Sequence, residues 1–313
     1  MVDLNELPLA ELYTELARNG LVMRLFELAR DEDFGPAFER GGGGDVTGRA
    51  TFGATEMGEA AVVFRQAGVL AGSAAMETLL HALRADADYQ VLVEDGTAVA
   101  AGATVGRLRG NLRAIVAAER TVLNTLGRLS GVATRTAEFV AAVKGTKAQI
   151  LDTRKTTPGM RVLEKYAVRC GGGHCHRIGL YDAALIKDNH LAGLPVGELA
   201  AAVAKMARRA HDQADREGLR FVGVEVDRLD QLEAILAAGG AGAGMVLLDN
   251  VGVAELREAV AMRDRLVGAV LLEASGGIGI ENVRAVAETG VDRISLGTLT
   301  HGARWVDVGL DRG

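Results

Sequence analysis

Arg154 and Lys155 are adjacent cations, with Thr153 before them and Thr156-Thr157-Pro158-Gly159 after them. Arginine offers a planar fork for a carboxylate and lysine a point charge, so the pair suits an anionic ligand. A solvated surface pair is the plainer alternative. Further along stand Gly171-Gly172-Gly173-His174-Cys175-His176-Arg177, preceded by Cys170. The glycines permit close backbone approach, and His176 and Arg177 add donors. Two cysteines and two histidines invite a zinc reading. Residues 174–176 are contiguous, however, whereas zinc ligands are usually separated by two or more residues, so buried structural cysteines fit better.

Lys187 closes an apolar run. It could form a Schiff base, as lysines do in aldolase-type barrels, or clamp an anion. With Arg120, Arg154, Lys155 and Arg177 also in the chain, the clamp is favoured. Glu225 and Asp249 end two successive runs and form a pair of hard oxygen groups suited to Mg²⁺, which takes one or two carboxylates plus substrate phosphates. The alternative is helix N-capping, which we prefer for Asp227. Ser275-Gly276-Gly277 and Leu296-Gly297-Thr298 follow the last two runs and fit a phosphate cradle. These groups describe a site for a polyanionic substrate and a phosphorylated sugar.

Residues of these types need elements that bring them together. Six short apolar runs, 148–152, 183–187, 221–226, 245–249, 268–273 and 291–296, alternate with helical periodicity at 195–217, 228–238 and 252–265. Strand–helix repetition implies a parallel sheet. Every run finishes in polar or charged residues, and in a β/α barrel those ends open on one face, where the site lies. Only six strands are visible, so the barrel is expected to be incomplete, its gap covered by the first domain or by a partner subunit. Before it, runs at 60–64 and 91–93, a helix at 73–85 and the turn Glu94-Asp95-Gly96-Thr97 read as an α+β sandwich. Residues 1–30 read as short amphipathic helices, Gly41 to Gly44 as a loop, and 111–126 and 132–143 as two helices. The expected fold is thus α/β: an open, six-stranded α/β barrel with an N-terminal α+β sandwich domain. The expected division is 1–128, 129–298, and 299–313 as a C-terminal helix packing back on the first domain.

Composition narrows the function classes. The net charge of −6 argues against a broad nucleic-acid surface, though a local cationic cluster remains compatible with it. Two cysteines cannot make a disulfide framework, the N-terminus lacks a basic-then-apolar leader, and no uncharged apolar stretch reaches spanning length. The expectation is a cytoplasmic protein with no membrane partner. Aromatics are only 4% of residues, so the core must rest on Ala, Val, Leu and Ile.

The chain resembles the quinolinate phosphoribosyltransferase family along nearly its whole length. The match runs through Gly44-Asp45-Val46-Thr47, Gly68 to Gly72, Glu119 to Asn124, Leu129 to Thr134, Leu151 to Gly159, Glu164-Lys165-Tyr166, Gly171 to Arg177, Leu180 to His190, Leu247 to Asn250, Glu273 to Ile278 and Gly297 to His301. The resemblance implies transfer of the phosphoribosyl group of phosphoribosyl pyrophosphate (PRPP) to quinolinate with decarboxylation. It also implies Mg²⁺ with PRPP, no prosthetic group, and a homodimer or higher assembly with Arg120 reaching the neighbouring subunit's site. By the same match Arg154, Lys155, His176 and Arg177 would meet quinolinate, with Thr153 beside them. Lys187, Glu225 and Asp249 would face the ribose, pyrophosphate and Mg²⁺, and Ser275 to Gly277 and Leu296 to Thr298 would hold phosphate. Lys155, Lys187, Glu225 and Asp249 are the expected catalytic groups.

The departures from the family are Cys175, where it usually has Asn, and Gly223, where it often has Glu. A sister group associated with molybdenum genes differs around the Arg-Lys and Lys-Asp-Asn-His motifs, both kept here. That sister group, a Schiff-base lyase and a non-catalytic metabolite-binding protein stand as the alternatives.

Overall fold

The computed structural model describes residues 2–35, 38, 43–214 and 218–312. Gly41 and Gly42 of the expected glycine loop lie outside the described residues. The chain divides into two compact units, one comprising Met1–Asn5, Glu138–Lys155 and Gly173–Thr298, the other Glu6–Ala137, Thr156–Gly172 and Leu299–Gly313.

The second of these begins with helices α1 (Leu9–Ala17), α2 (Leu21–Phe34) and α3 (Val46–Thr51). It continues with strands β1 (Met57–Phe64) and β2 (Gly68–Val69), helix α4 (Met76–Leu83), then β3 (Ala87–Val91), β4 (Ala98–Val99) and β5 (Thr104–Asn111). The third strand precedes the apolar run expected at 91–93. Leu92 and Val93 both donate to the carbonyl of Val105, so the ladder loses its register there. Helix α5 (Leu112–Ala142) is continuous over 31 residues, where two helices were expected. Gly131 is not a break between them: a Cβ there would collide with the backbone carbonyl of Arg304. The glycine permits close approach, and the flanking leucine and alanine positions carry the helix through.

Strand β6 (Gln149–Leu151) and helix α6 (Arg161–Cys170) lead into β7 (Ala184–Ile186) and α7 (Asp188–Leu191). Then come α8 (Val196–Gln213), β8 (Val222–Val226), α9 (Leu229–Ala237), β9 (Met245–Asp249), α10 (Val253–Leu266), β10 (Leu271–Ser275), α11 (Val283–Ala287), β11 (Arg293–Ser295) and β12 (Val308–Asp311). The tail is therefore a strand and not the expected helix. It pairs antiparallel with β1, which otherwise would present an unsatisfied edge, in a sheet of order β12-β1-β5-β3. The two-residue strands β2 and β4 form a separate ribbon.

The first unit holds a six-stranded sheet of order β6-β11-β10-β9-β8-β7, with every ladder parallel. It is an open α/β barrel, because β6 and β7 are its two ends and share no ladder. Helix α6, which lies between them in sequence, belongs to the other unit. Side chains alternate along each strand. Val222, Val224 and Val226 on β8, Val246 and Leu248 on β9, Leu272 and Ala274 on β10 and Ile294 on β11 are buried on one face. The opposite face carries the polar set. Arg263, only 3% exposed, ties α10 to the sheet: its Nη1 donates to Asp292 Oδ2 at 2.6 Å, and the same oxygen accepts the Leu272 amide at 2.8 Å.

Two stability measurements follow. Gly131→Ala should lower the melting temperature by several degrees, because overpacking of about 1–3 kcal/mol exceeds the roughly 1 kcal/mol gain in helix propensity. A melting point at or above that of the unsubstituted chain would show that the 304 backbone gives way. Burial pushes the Asp292 carboxyl up, but the Leu272 amide, Lys147 and Arg263 outweigh it and hold it below its ordinary value of 3.8. Its stabilising contribution is present above that value and is lost as pH falls through the lowered one. Urea midpoints should therefore drop more steeply below about pH 4 in the unsubstituted chain than in Asp292→Asn; equal slopes would exclude the effect.

Candidate functional site

The free edge of β6 is completed by the segment after the three glycines. His174 donates its amide to the Ile150 carbonyl at 2.8 Å, and the Asp152 amide donates to the His174 carbonyl at 3.1 Å. The Asp152 side chain, wholly buried, accepts the His176 amide at 2.9 Å. His176 and Arg177 are thus fixed at the C-terminal end of the sheet. At the tip of β6 the Lys155 amide donates to the Thr153 hydroxyl at 3.0 Å, turning the chain so that Thr153, Arg154 and Lys155 border the same cleft.

That cleft has a volume of about 420 Å³. Its wall is built from alternate positions of the strands: Leu185 and Lys187, Glu225, Leu247 and Asp249, Glu273 and Ser275, and Ser295. The parallel register sets Glu225 beside Leu247, Leu247 beside Glu273, and Asp249 beside Ser275. Lys187 Nζ donates to Glu225 Oε2 at 2.8 Å, on the acidic side of the cleft. Asp249 accepts from the Asn250 amide group at 2.9 Å. Arg154 Nε is buried and finds no hydrogen-bond partner among the described residues, the state of a donor prepared for a ligand.

The cleft therefore gathers Thr153, Arg154, Lys155, His176, Arg177, Lys187, Glu225, Asp249 and Ser275 from the expected set. Gly276, Gly277, Leu296, Gly297 and Thr298 are not among its lining residues. Gly276 and Gly277 follow β10 directly with φ of +86° and +60°, and a Cβ on Gly276 would strike Asn250, whose amide donates to the Ser275 carbonyl at 2.9 Å. The glycines are therefore required by their neighbours. Gly297 and Thr298 open a single 3-10 turn after buried Leu296. Arg120 lies on α5, in the other unit, with its side chain 66% exposed. Asp227 is exposed, and α9 begins without a side-chain cap, so the expected capping role is absent.

Two groups are not evident from the sequence. The apolar run 268–273 puts Glu273 at a strand end, but β10 runs on to Ser275, so Glu273 sits inside the wall, fully buried. Its Oε1 lies 3.2 Å from His176 Nε2. Burial pushes its carboxyl up, yet contacts with His176, Arg293 and the Ser295 hydroxyl hold it below the usual carboxylate range. The available signal is its spacing of two from Ser275. In the other unit, buried Glu164 accepts from Arg128 Nε at 3.0 Å and from the amide and hydroxyl of Thr157 at 3.0 and 2.8 Å, which fixes the Thr156-Thr157 turn.

No group of three or more His, Cys, Asp or Glu side chains suited to a metal occurs among the described residues. Among them, too, no helix is long and apolar enough to cross a membrane.

Fold and cleft together define an open α/β barrel with a cleft lined by cations and carboxylates at its strand ends. Residues 45–130 match the N-terminal domain and residues 132–311 the C-terminal domain described as quinolinate phosphoribosyl transferase, and the chain belongs to that family. A nicotinate-nucleotide pyrophosphorylase [carboxylating] of Mycobacterium leprae is 44% identical over 269 residues, 85% of this chain and 90% of its own. A probable enzyme of the same name from Bacillus subtilis is 38% identical over 270 residues, covering 86% and 88%. The solved structure of the nicotinate-nucleotide pyrophosphorylase from Francisella tularensis superposes with a TM-score of 0.82 at 35% identity, covering 100% of both chains.

The Lys187–Glu225 pair makes a chemical prediction. The Lys187 amine is engaged by Glu225 at 2.8 Å and stands as a clamp, so borohydride treatment in the presence of carbonyl compounds should leave the mass of the chain unchanged. A trapped adduct on Lys187 would instead mark a Schiff-base lyase.

Proposed function

We propose that this chain transfers the phosphoribosyl group of PRPP to the ring nitrogen of quinolinate, releasing pyrophosphate and CO₂ and giving nicotinate mononucleotide in the cytoplasm. The observation that carries this reading is the meeting of four cations, Arg154, Lys155, Arg177 and Lys187, with the carboxylates Glu225 and Asp249 in one cleft. The sister-group and lyase alternatives have no comparable support.

Arg154, whose Nε lacks a partner among the described residues, binds a quinolinate carboxylate together with Lys155 and Arg177, beside the Thr153 hydroxyl. This places the ring nitrogen near the ribose C1′, which is catalysis by positioning. The bond from C1′ to the pyrophosphate oxygen breaks, its electron pair leaving with the oxygen, while the nitrogen lone pair forms the new bond to C1′. Lys187 supplies positive charge to the departing group. Glu225 also stabilises the cationic ribose. Ser275, Gly276, Gly277, Leu296, Gly297 and Thr298 receive the sugar phosphate through backbone amides.

The nitrogen, once quaternised, is positive. It stabilises the electron pair left on the ring carbon when the adjacent carboxylate departs as CO₂, and a proton from water then fills that position. The donors present fit Mg²⁺: Glu225 and Asp249, hard carboxylates from neighbouring strands, would hold it, with PRPP completing its shell. When bound it supplies charge to the pyrophosphate oxygens. Arg120, exposed on α5, is proposed to complete the site of a partner subunit in a homodimer.

Purified protein with quinolinate, PRPP and Mg²⁺ should release pyrophosphate and CO₂, and nicotinate in place of quinolinate should give neither. Release with nicotinate alone would move the chain to a different reaction, and release with neither would remove the assignment. Arg154→Ala should lower kcat/KM by about a hundredfold or more with an unchanged melting temperature, in line with losing a charge-assisted pair. An unaltered kcat/KM would take Arg154 out of the site.

A further inference from the structure

We infer that Glu273 is a positioning residue: it acts through His176 to hold the backbone at Arg177 in place for quinolinate. The inference rests on the function proposed above and deepens its substrate side.

Glu273 occupies the middle of a barrel wall, with no exposed surface, in register with Leu247 on one side and Arg293 on the other. An apolar side chain like Leu247 would fill such a position without desolvating a charge, which costs several kcal/mol for a buried ion. What the carboxylate gains there is His176. The imidazole Nδ1 accepts the amide of Arg177 at 2.7 Å, so the ring hydrogen is on Nε2, which lies 3.2 Å from Glu273 Oε1. Nδ1 is therefore committed inside the protein, and Nε2 stands against the Glu273 carboxylate. The ring also meets Phe221 edge-on, with centroids 5.1 Å apart at 86°. His176 thus borders the cleft with Nδ1 already used and Nε2 turned to Glu273, which suits it to transmit position. Glu273 selects the tautomer and the ring angle, and the ring's other nitrogen fixes the amide of Arg177. The guanidinium of that residue donates to the Ala183 carbonyl at 3.3 Å, so both ends of Arg177 are held.

The test uses pyrophosphate release by the full chain, with KM measured separately for quinolinate and PRPP. Glu273→Gln keeps the volume and an oxygen that accepts from Nε2, and should stay within about threefold of the unsubstituted enzyme in every constant. Glu273→Leu removes the acceptor and should raise KM for quinolinate about tenfold or more while KM for PRPP moves less than about twofold, a split that general loosening of the barrel would not give. Nitrogen-15 spectra should show His176 as the Nε2–H tautomer in the unsubstituted protein and in Glu273→Gln. If Glu273→Leu does not fold, a cycle of His176→Asn and Glu273→Ala decides: each change alone should raise KM for quinolinate, and with the relay broken at 176, adding the second should leave KM where the first put it. Additive effects, equal rises in both KM values, or an unchanged quinolinate KM in folded Glu273→Leu would each overturn the inference. Unsubstituted protein that releases no pyrophosphate would overturn the proposed function and this inference with it, whereas active protein with unresponsive variants would overturn the inference alone.

Discussion

The unpaired edge of β6 is the constraint from which the cleft is built. A parallel strand at the end of an open sheet exposes amides and carbonyls that must find partners. Here Ile150 and Asp152 find them in His174, and the Asp152 carboxylate extends the same rail to the amide of His176. One segment thereby satisfies the strand edge and delivers His176 and Arg177 to the strand ends. Had the barrel closed between β6 and β7, the edge would be occupied by β7, and those two residues would have no seat there.

Alternation does the rest. In a parallel sheet with helices on one face, the side-chain period of two sends every second residue to the other face. Valines, leucines and isoleucines take the helix side, and Lys187, Glu225, Asp249, Glu273 and Ser275 take the cleft side. Concentrating charge on one wall is costly unless opposite signs neighbour one another. The cleft meets that condition locally, with Lys187 on Glu225, and leaves Arg154 Nε without a partner among the described residues. A site that satisfies most of its own charges while holding back a cationic donor is preorganised for an anion.

The departure at Gly223 has a packing explanation. A side chain there would meet the end of Met245 at 2.6 Å and Leu185 at 3.1 Å. The methionine sulfur in turn lies 3.4 Å from Arg293, so this part of the wall is filled from β9 rather than from β8. Cys175 is buried; its amide donates to the Asn5 side chain at 2.7 Å, and its carbonyl accepts from that side chain at 3.1 Å, so its backbone, not its thiol, carries the contact.

Much of this is legible in the residues. The apolar runs match β6 to β9 and β11 within about two residues, because hydrophobic runs bounded by polar ends report strand existence directly. Arg154, Lys155, Lys187, Glu225 and Asp249 are legible as a site because charges that recur at the strand ends of a barrel converge on one face. Local sequence does not show that α5 passes through Gly131, that residues 308–311 add a strand to β1, or that β10 carries Glu273 into its interior. Each depends on a partner distant in the chain: the carbonyl of Arg304, the edge of β1, the imidazole of His176. The sequence by itself determined which residues bear charge, where the elements lie and that their ends converge. Only the tertiary structure decided which of those charges are neutralised by a neighbour and which remain for a ligand, because pairing depends on distances of a few ångströms between strands that the order of residues does not contain.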